Sequence, residues 1–215
     1  MKIAVLGTGQ AGQRVATGLS KAGHDVCLGS RTSTNEVGQS WARDGGAGAS
    51  SGSFAEAAAH GEWIFLMVKG EFAEQALEAA GREQLAGKIV VDVTNPLDFS
   101  RGFPPVLFIS GHDSLGERLQ RAFPEARFVK VLNTTSSRVM VQPSLVPGEH
   151  ELFICGEDAV AKEEVKKLLL DDFGWAGILD LGGIESARAL EALLLAWTRL
   201  YRALGTDLFN FHIAR

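Results

Sequence analysis

The chain has 215 residues, 46% of them apolar, and 26 acidic side chains against 21 Lys and Arg give a net charge of −5. Such a length admits one large α/β domain, or a main domain with a small appendage, and buries most of its apolar surface without covalent staples. The acidic balance, with no lysine-arginine cluster, argues against nucleic acid as the main partner. No apolar run approaches the ~18–20 residues needed to cross a bilayer.

Cys27 and Cys155 both lie in apolar, strand-like runs. They read as small buried side chains in a reducing compartment rather than a disulfide or metal pair. The sequence opens directly on a strand, with no leader in front of it, so the expected location is cytoplasmic.

Lys2–Leu6 is a short run of branched apolar residues, the mark of a strand buried on both faces. It runs into Gly7-Thr8-Gly9-Gln10-Ala11-Gly12, the pattern G-x-G-x-x-G. Val15, Leu19 and Ala22 then recur at helical spacing up to Gly23, and Asp25–Leu28 reads as a second strand. In a strand–turn–helix–strand unit of this length, the pattern is the fingerprint of a dinucleotide site. Gly7 permits the turn, Gly9 lets a pyrophosphate approach the backbone, and Gly12 lets the helix pack closely on the strand. The first amides of the helix face the phosphate.

The second strand ends in Gly29-Ser30-Arg31-Thr32-Ser33-Thr34, with no carboxylate between Asp25 and Glu36. NAD selectivity calls for an acid here, and NADP selectivity for a cation and hydroxyls. Arg31, with Ser30 and Thr32, therefore points to NADP(H).

Further along, a helix is expected over 36–43, a weak strand near 47–50, and a helix over Phe54–His60 capped by Ser53 with Glu56 completing the box. Glu62–Val68 is a strand, 72–80 a helix, and Lys88–Val93 the fifth strand. A helix over 114–123 leads to a sixth strand, Arg127–Leu132. Glu151–Cys155 and Gly177–Leu181 flank the helix Asp158–Leu170, where Glu163 precedes Lys167 by one turn on a solvated face. The last helix, Ile184–Leu204, stops at Gly205. Strands alternating with helices predict a doubly wound, mostly parallel α/β sheet. The expected division is a dinucleotide-binding domain over 1–156 and a small, mainly helical extension over 157–215.

In such a sheet the ligand lies across the carboxyl ends of the strands. Besides Gly7–Gly12 and Ser30–Thr32, this singles out Val68, Lys69, Asn95, Pro96, Asn133 and Thr134. Lys69 is the one cation in the later segments, no histidine falls in any of them, and metal-ligand spacings are absent. No acid, base or nucleophile is assigned. A site of this kind suits hydride transfer between two stacked flat rings, where positioning supplies most of the catalysis. It suits carbonyl or imine reduction less well, because those ask for a proton donor.

V-L-G-T-G-Q-A-G, L-G-S-R, V-D-V-T-N-P, V-K-V-L-N-T and F-I-C-G-E-D, with the C-terminal L-G-G-I-E-S-A-R-A-L-E, form a series. It resembles the NADPH-dependent reductases of coenzyme F420, over nearly the whole chain. It is also similar to the cytosolic NADPH domain of six-transmembrane ferric reductases. The resemblance implies NADP(H) across Gly7–Gly12, with Ser30 and Arg31 on the 2′-phosphate and cofactor contacts at Val68, Asn95-Pro96 and Asn133-Thr134. It further implies a deazaflavin or flavin acceptor on the nicotinamide face, in a cleft closed by the C-terminal helices. The chain departs from the family pattern at Lys69-Gly70, where proline and an aromatic are common. It departs again at Ser33-Thr34-Asn35, where a second basic residue is common.

Two other functions stay open at this point: a reductase of a small imine or oxo-acid, and a non-catalytic dinucleotide sensor. A homodimer is expected, with 184–211 at its interface. Leu190, Leu193, Trp197, Leu200 and Leu204 form one stripe of the last helix, and Leu194, Leu195 and Tyr201 extend it.

Overall fold

The computed structural model describes residues 1–214. In chain order the elements are β1 (Lys2–Leu6), α1 (Gln10–Lys21), β2 (Asp25–Ser30), α2 (Glu36–Gly45), β3 (Ala49–Ser53), α3 (Phe54–His60), β4 (Trp63–Leu66), α4 (Ala73–Ala80), α5 (Arg82–Leu85) and β5 (Ile89–Asp92). A small hairpin of β6 (Leu97–Asp98) and β7 (Val106–Leu107) follows, then α6 (Leu115–Ala122), β8 (Arg127–Lys130) and α7 (Ser137–Val141). The chain closes with β9 (Glu151–Ile154), α8 (Ala159–Phe173), β10 (Gly177–Asp180) and α9 (Ala187–Leu204).

β1, β4 and β5 are apolar and buried along most of their length, which forces them into the middle of a sheet covered on both faces. The sheet runs β3-β2-β1-β4-β5-β8, every neighbouring pair parallel. Helices on each side complete two separate apolar layers: Val15 and Leu19 of α1 lie in one, and Leu77, Leu119 and Leu190 lie in the other. An antiparallel bridge between Lys130 and Cys155 continues the sheet into the parallel pair β9–β10. The strand order reverses between β1 and β4, so the crevice above their carboxyl ends is where this fold takes its ligand.

Local signals acted as their chemistry dictates. Ser53 and Glu56 cap each other's backbone at the start of α3, and α8 and α9 end in left-handed glycines, Gly174 and Gly205. Both cysteines are free and buried, and burial pushes the Cys155 thiol up to about 12.

Four details differ from the sequence reading. The sixth strand ends at Lys130 instead of Leu132, because Leu132 turns the chain with φ +66°. The β6–β7 hairpin and α7 were not anticipated, since neither has a periodicity long enough to register. Glu163 pairs with Lys166 and Lys167 with Asp171, so the anticipated 163–167 spacing goes unused. The buried face of α9 is Ala187, Leu190, Glu191, Leu194 and Thr198. Of the anticipated stripe only Leu190 is fully buried, while Leu200 and Leu204 face outward.

Candidate functional site

The G-x-G-x-x-G turn sits at the switch point with each glycine under a different constraint. Gly7 has φ +130°, and a Cβ there would fall 2.6 Å from the Met67 carbonyl oxygen. A Cβ on Gly12 would fall 1.9 Å from the Gly7 carbonyl oxygen, so α1 reaches β1 this closely only with glycine at that position. A Cβ on Gly9 would meet nothing within 4 Å: it points into open space. Gly9 is also the N-cap of α1, with no side-chain cap and no acid in the first turn, which leaves the first helical amides free. Thr8 is half-buried, its carbonyl held by Gln13 Nε2 at 2.9 Å; Gln10 is exposed and Ala11 half-buried at the helix start. An open cradle over unpaired amides fits a pyrophosphate.

The end of β2 supplies the neighbouring edge. The Gly7 amide donates to the Gly29 carbonyl at 2.9 Å, which ties the turn to that edge. Ser30 is buried, its hydroxyl donating to the Thr32 carbonyl at 2.6 Å, so it holds the loop. Arg31 and Thr32 stand exposed on the outside of that loop. Among the described residues no carboxylate is paired with Arg31, as a phosphate-binding guanidinium requires.

The segments after β4, β5 and β8 make the other half. Gly70 abuts Asn95 so tightly that a Cβ would lie 2.1 Å from the Asn95 carbonyl oxygen. This explains the glycine after Lys69: no side chain fits where the two loops cross. Val68 is half-buried, Pro96 is buried, and Lys69 is exposed at the rim. Asn95 Nδ2 donates to the Asn133 carbonyl at 3.0 Å, and Asn133 Nδ2 returns a bond to Asn95 Oδ1 at 2.9 Å. Thr134 and Thr135 are buried beside them, and Asn133 Oδ1 and Thr135 Oγ1 have no hydrogen-bond partner. Spare polar capacity of this kind in a buried site fits a polar ligand.

One cluster escaped the sequence reading. Lys130 is fully buried, its ammonium 2.7 Å from Asp92 Oδ2, 2.9 Å from the Thr94 carbonyl and 3.0 Å from Glu191 Oε1. Asp92 Oδ1 accepts from the Thr94 amide and hydroxyl, and Glu191 accepts the amides of Leu115 and Gly116 at the start of α6. Burial alone would depress the Lys130 pKa, but the Asp92 and Glu191 carboxylates outweigh it and hold the ammonium above its ordinary range. Every donor is therefore satisfied and the ammonium stays charged, which makes it a strut and not a proton donor. Truncating one partner of such a buried pair costs about 3–5 kcal/mol. A signal was present: an acid and a lysine stand inside the apolar runs V-D-V and V-K-V, where a charge is tolerated only with a partner.

A model of the family described as NADP oxidoreductase, coenzyme F420-dependent, matches residues 2–96. A protein of Arthrobacter sp. FB24, described as a candidate F420-dependent NADP reductase, is 46% identical and superimposes with a TM-score of 0.95 over 100% of both chains. The chain belongs to the coenzyme F420-dependent NADP oxidoreductase family. Membership makes it an NADP-dependent oxidoreductase. The F420-dependent NADP reductase of Methanothermobacter marburgensis is 29% identical over 202 residues, 90% of this chain and 89% of that protein. Metalloreductase STEAP3 of Rattus norvegicus is 32% identical over 197 residues; the match takes in 90% of this chain but only 36% of that protein. Among the described residues no helix is long and apolar enough to cross a membrane, and no cluster of metal-ligand side chains occurs.

Proposed function

We infer that the chain transfers hydride between NADP(H) and a second flat cofactor, a deazaflavin or flavin-like acceptor, in the crevice at the switch point. One observation carries this reading. Inside the crevice the residues offer backbone amides, two carboxamides and hydroxyls; Lys69 stands exposed at the rim, and Lys130, buried beneath, is already saturated by Asp92, Thr94 and Glu191. Reduction of a carbonyl or imine needs a proton donor at the reacting atom; hydride transfer from ring to ring does not.

Each part has a physical task. The open space over Gly9 and the free amides of α1 take the pyrophosphate, and the exposed Arg31 takes the 2′-phosphate. Ser30 sets the loop that presents Arg31. Asn95, Pro96, Asn133 and Thr134 form a floor on which the nicotinamide end rests, and Val68 and Lys69 form one lip. Bound NADPH supplies the hydride; the protein aligns and dries the site, which is where positioning gains its effect. The names of the Methanothermobacter and Arthrobacter relatives support coenzyme F420 as the acceptor.

The chain acts as a homodimer, through the outward face of α9. Tyr201, Leu200 and Leu204 are exposed there, and the exposed Phe103 packs edge-on against Tyr201.

NADPH oxidation is the test, measured with a deazaflavin riboside, with flavin mononucleotide and with a cyclic imine. Turnover with a deazaflavin or flavin and none with the imine is expected. Turnover with the imine alone would overturn the reading.

A further inference from the structure

Leu190 and Glu191 are consecutive buried residues of α9; Leu190 meets the cleft floor and Glu191 meets the Lys130 cluster beneath it. The Leu190 carbonyl accepts from Asn133 Nδ2 at 3.2 Å. Glu191, 1% exposed, accepts the amides of Leu115 and Gly116 at 2.9 and 3.0 Å and meets the Lys130 ammonium at 3.0 Å. Arg188, one turn earlier, grips Glu117 of α6. Both hydrogens of Asn133 Nδ2 are thus spent, one on Asn95 and one on α9.

We propose that Glu191 is a positioning residue for the reacting end of the cleft. Clamped by Lys130 and the first turn of α6, it sets the seat of α9. The Leu190 carbonyl then fixes the Asn133 side chain, and Asn133 fixes Asn95. The α9 helix is in this way part of the support of the cleft. The inference deepens the functional reading above and rests on it.

Glu191→Gln is the informative variant. It removes the clamp's charge and leaves Asp92 and Lys130 as a neutral pair, so no lone charge is left buried. Its amide also presents a donor where two backbone amides and the Lys130 ammonium need acceptors, which loosens the seat of α9. The adenine half of the cleft, Gly7–Gly12 and Arg31, lies on other elements and is untouched.

Two ligands separate positioning from general damage: 2′-phospho-ADP-ribose, which lacks the nicotinamide, and NADPH deuterated on one or the other face. In Glu191→Gln, 2′-phospho-ADP-ribose should bind within about twofold of the unmutated chain, while single-turnover hydride transfer falls on the order of tenfold to a hundredfold. Face selectivity should relax as well. Combined with Asn133→Ala the losses should not add, because both act through one group.

Equal losses for both ligands, additive losses, or unaltered transfer would each overturn the proposal. If Glu191→Gln does not fold, Glu191→Asp is measured instead, which keeps the charge but shortens the reach. Failure of both to fold also counts against it, because Glu191 is then a strut with no separable effect. An unmutated chain that binds 2′-phospho-ADP-ribose but transfers no hydride to any flavin or deazaflavin refutes the functional reading. A working chain unmoved by Glu191→Gln refutes this inference alone.

Discussion

Asn95 and Asn133 hold each other, each donating its side-chain amide to the other residue, to the carbonyl of Asn133 in one direction and to Oδ1 of Asn95 in the other. The pair stitches the ends of β5 and β8 into one surface without a charge. Discrimination between dinucleotides must therefore come from elsewhere, and Arg31 at the opposite edge is the group placed to supply it.

Arg31→Ala should lower affinity for NADP about tenfold to a hundredfold, from a charge-assisted contact worth about 1.5–3 kcal/mol, and leave the weaker binding of NAD unchanged. Titration calorimetry with both dinucleotides checks this. Equal affinities in the unmutated chain would refute the assignment.

Two glycines of the same turn, three residues apart, should fail differently. Gly9→Val places its side chain in open space, so the fold survives while dinucleotide binding is lost. Gly12→Val drives a side chain into the Gly7 carbonyl and forces α1 off the sheet, so the melting temperature falls before any binding question arises. Thermal melts beside NADPH titrations read both.

Arg127 donates to Asp158 at 2.6 Å and holds its carboxyl down to about 2. A carboxyl near 3.9 in the unfolded chain but lower in the folded one adds stability above about pH 4. That stability is lost as the pH falls through about 2. Asp158 also caps α8 through Ala161, and asparagine keeps that cap. Asp158→Asn should therefore lower the neutral-pH midpoint and flatten the acid limb of a denaturation profile, the two chains converging as the pH falls through about 2. An unchanged acid limb would show that the pair contributes nothing.

Leu204 is 57% exposed near the end of α9, whereas Trp197 stacks on Tyr201 and Phe209 within its own chain. Leu204→Glu thus tests the dimer without disturbing that stack. Light scattering should find the unmutated protein dimeric at micromolar concentration and the variant monomeric. A monomeric unmutated protein would end the dimer proposal.

What could be read from sequence was what is encoded locally. The first strand, the glycine turn and the Ser53–Glu56 capping box are each fixed by neighbours within a few residues, and each formed where its residues stand. The parallel sheet followed from the alternation of strands and helices. Of the Lys130 cluster only the need for partners was legible, in V-D-V and V-K-V; which partners meet was not, because Asp92, Lys130 and Glu191 come from three elements that only the fold brings together. The α9 stripe was misjudged for a related reason. Leucine spacing marks an apolar side, but the buried side carries Glu191, whose partners Leu115, Gly116 and Lys130 lie on or beside other elements. Leu132, with its left-handed backbone, ended the sixth strand early although its side chain belongs in the core.

Direct hydride transfer from ring to ring leaves an isotopic signature that tracing reads. The unmutated protein is mixed with NADPH deuterated at the transferable position and an oxidised deazaflavin riboside, and the products are analysed by mass spectrometry and NMR. Deuterium should appear on the reduced deazaflavin in one-to-one ratio with NADP formed, and from only one face of NADPH. NADP formed with the deuterium lost to water, or no NADP formed with either a deazaflavin or a flavin, would contradict it.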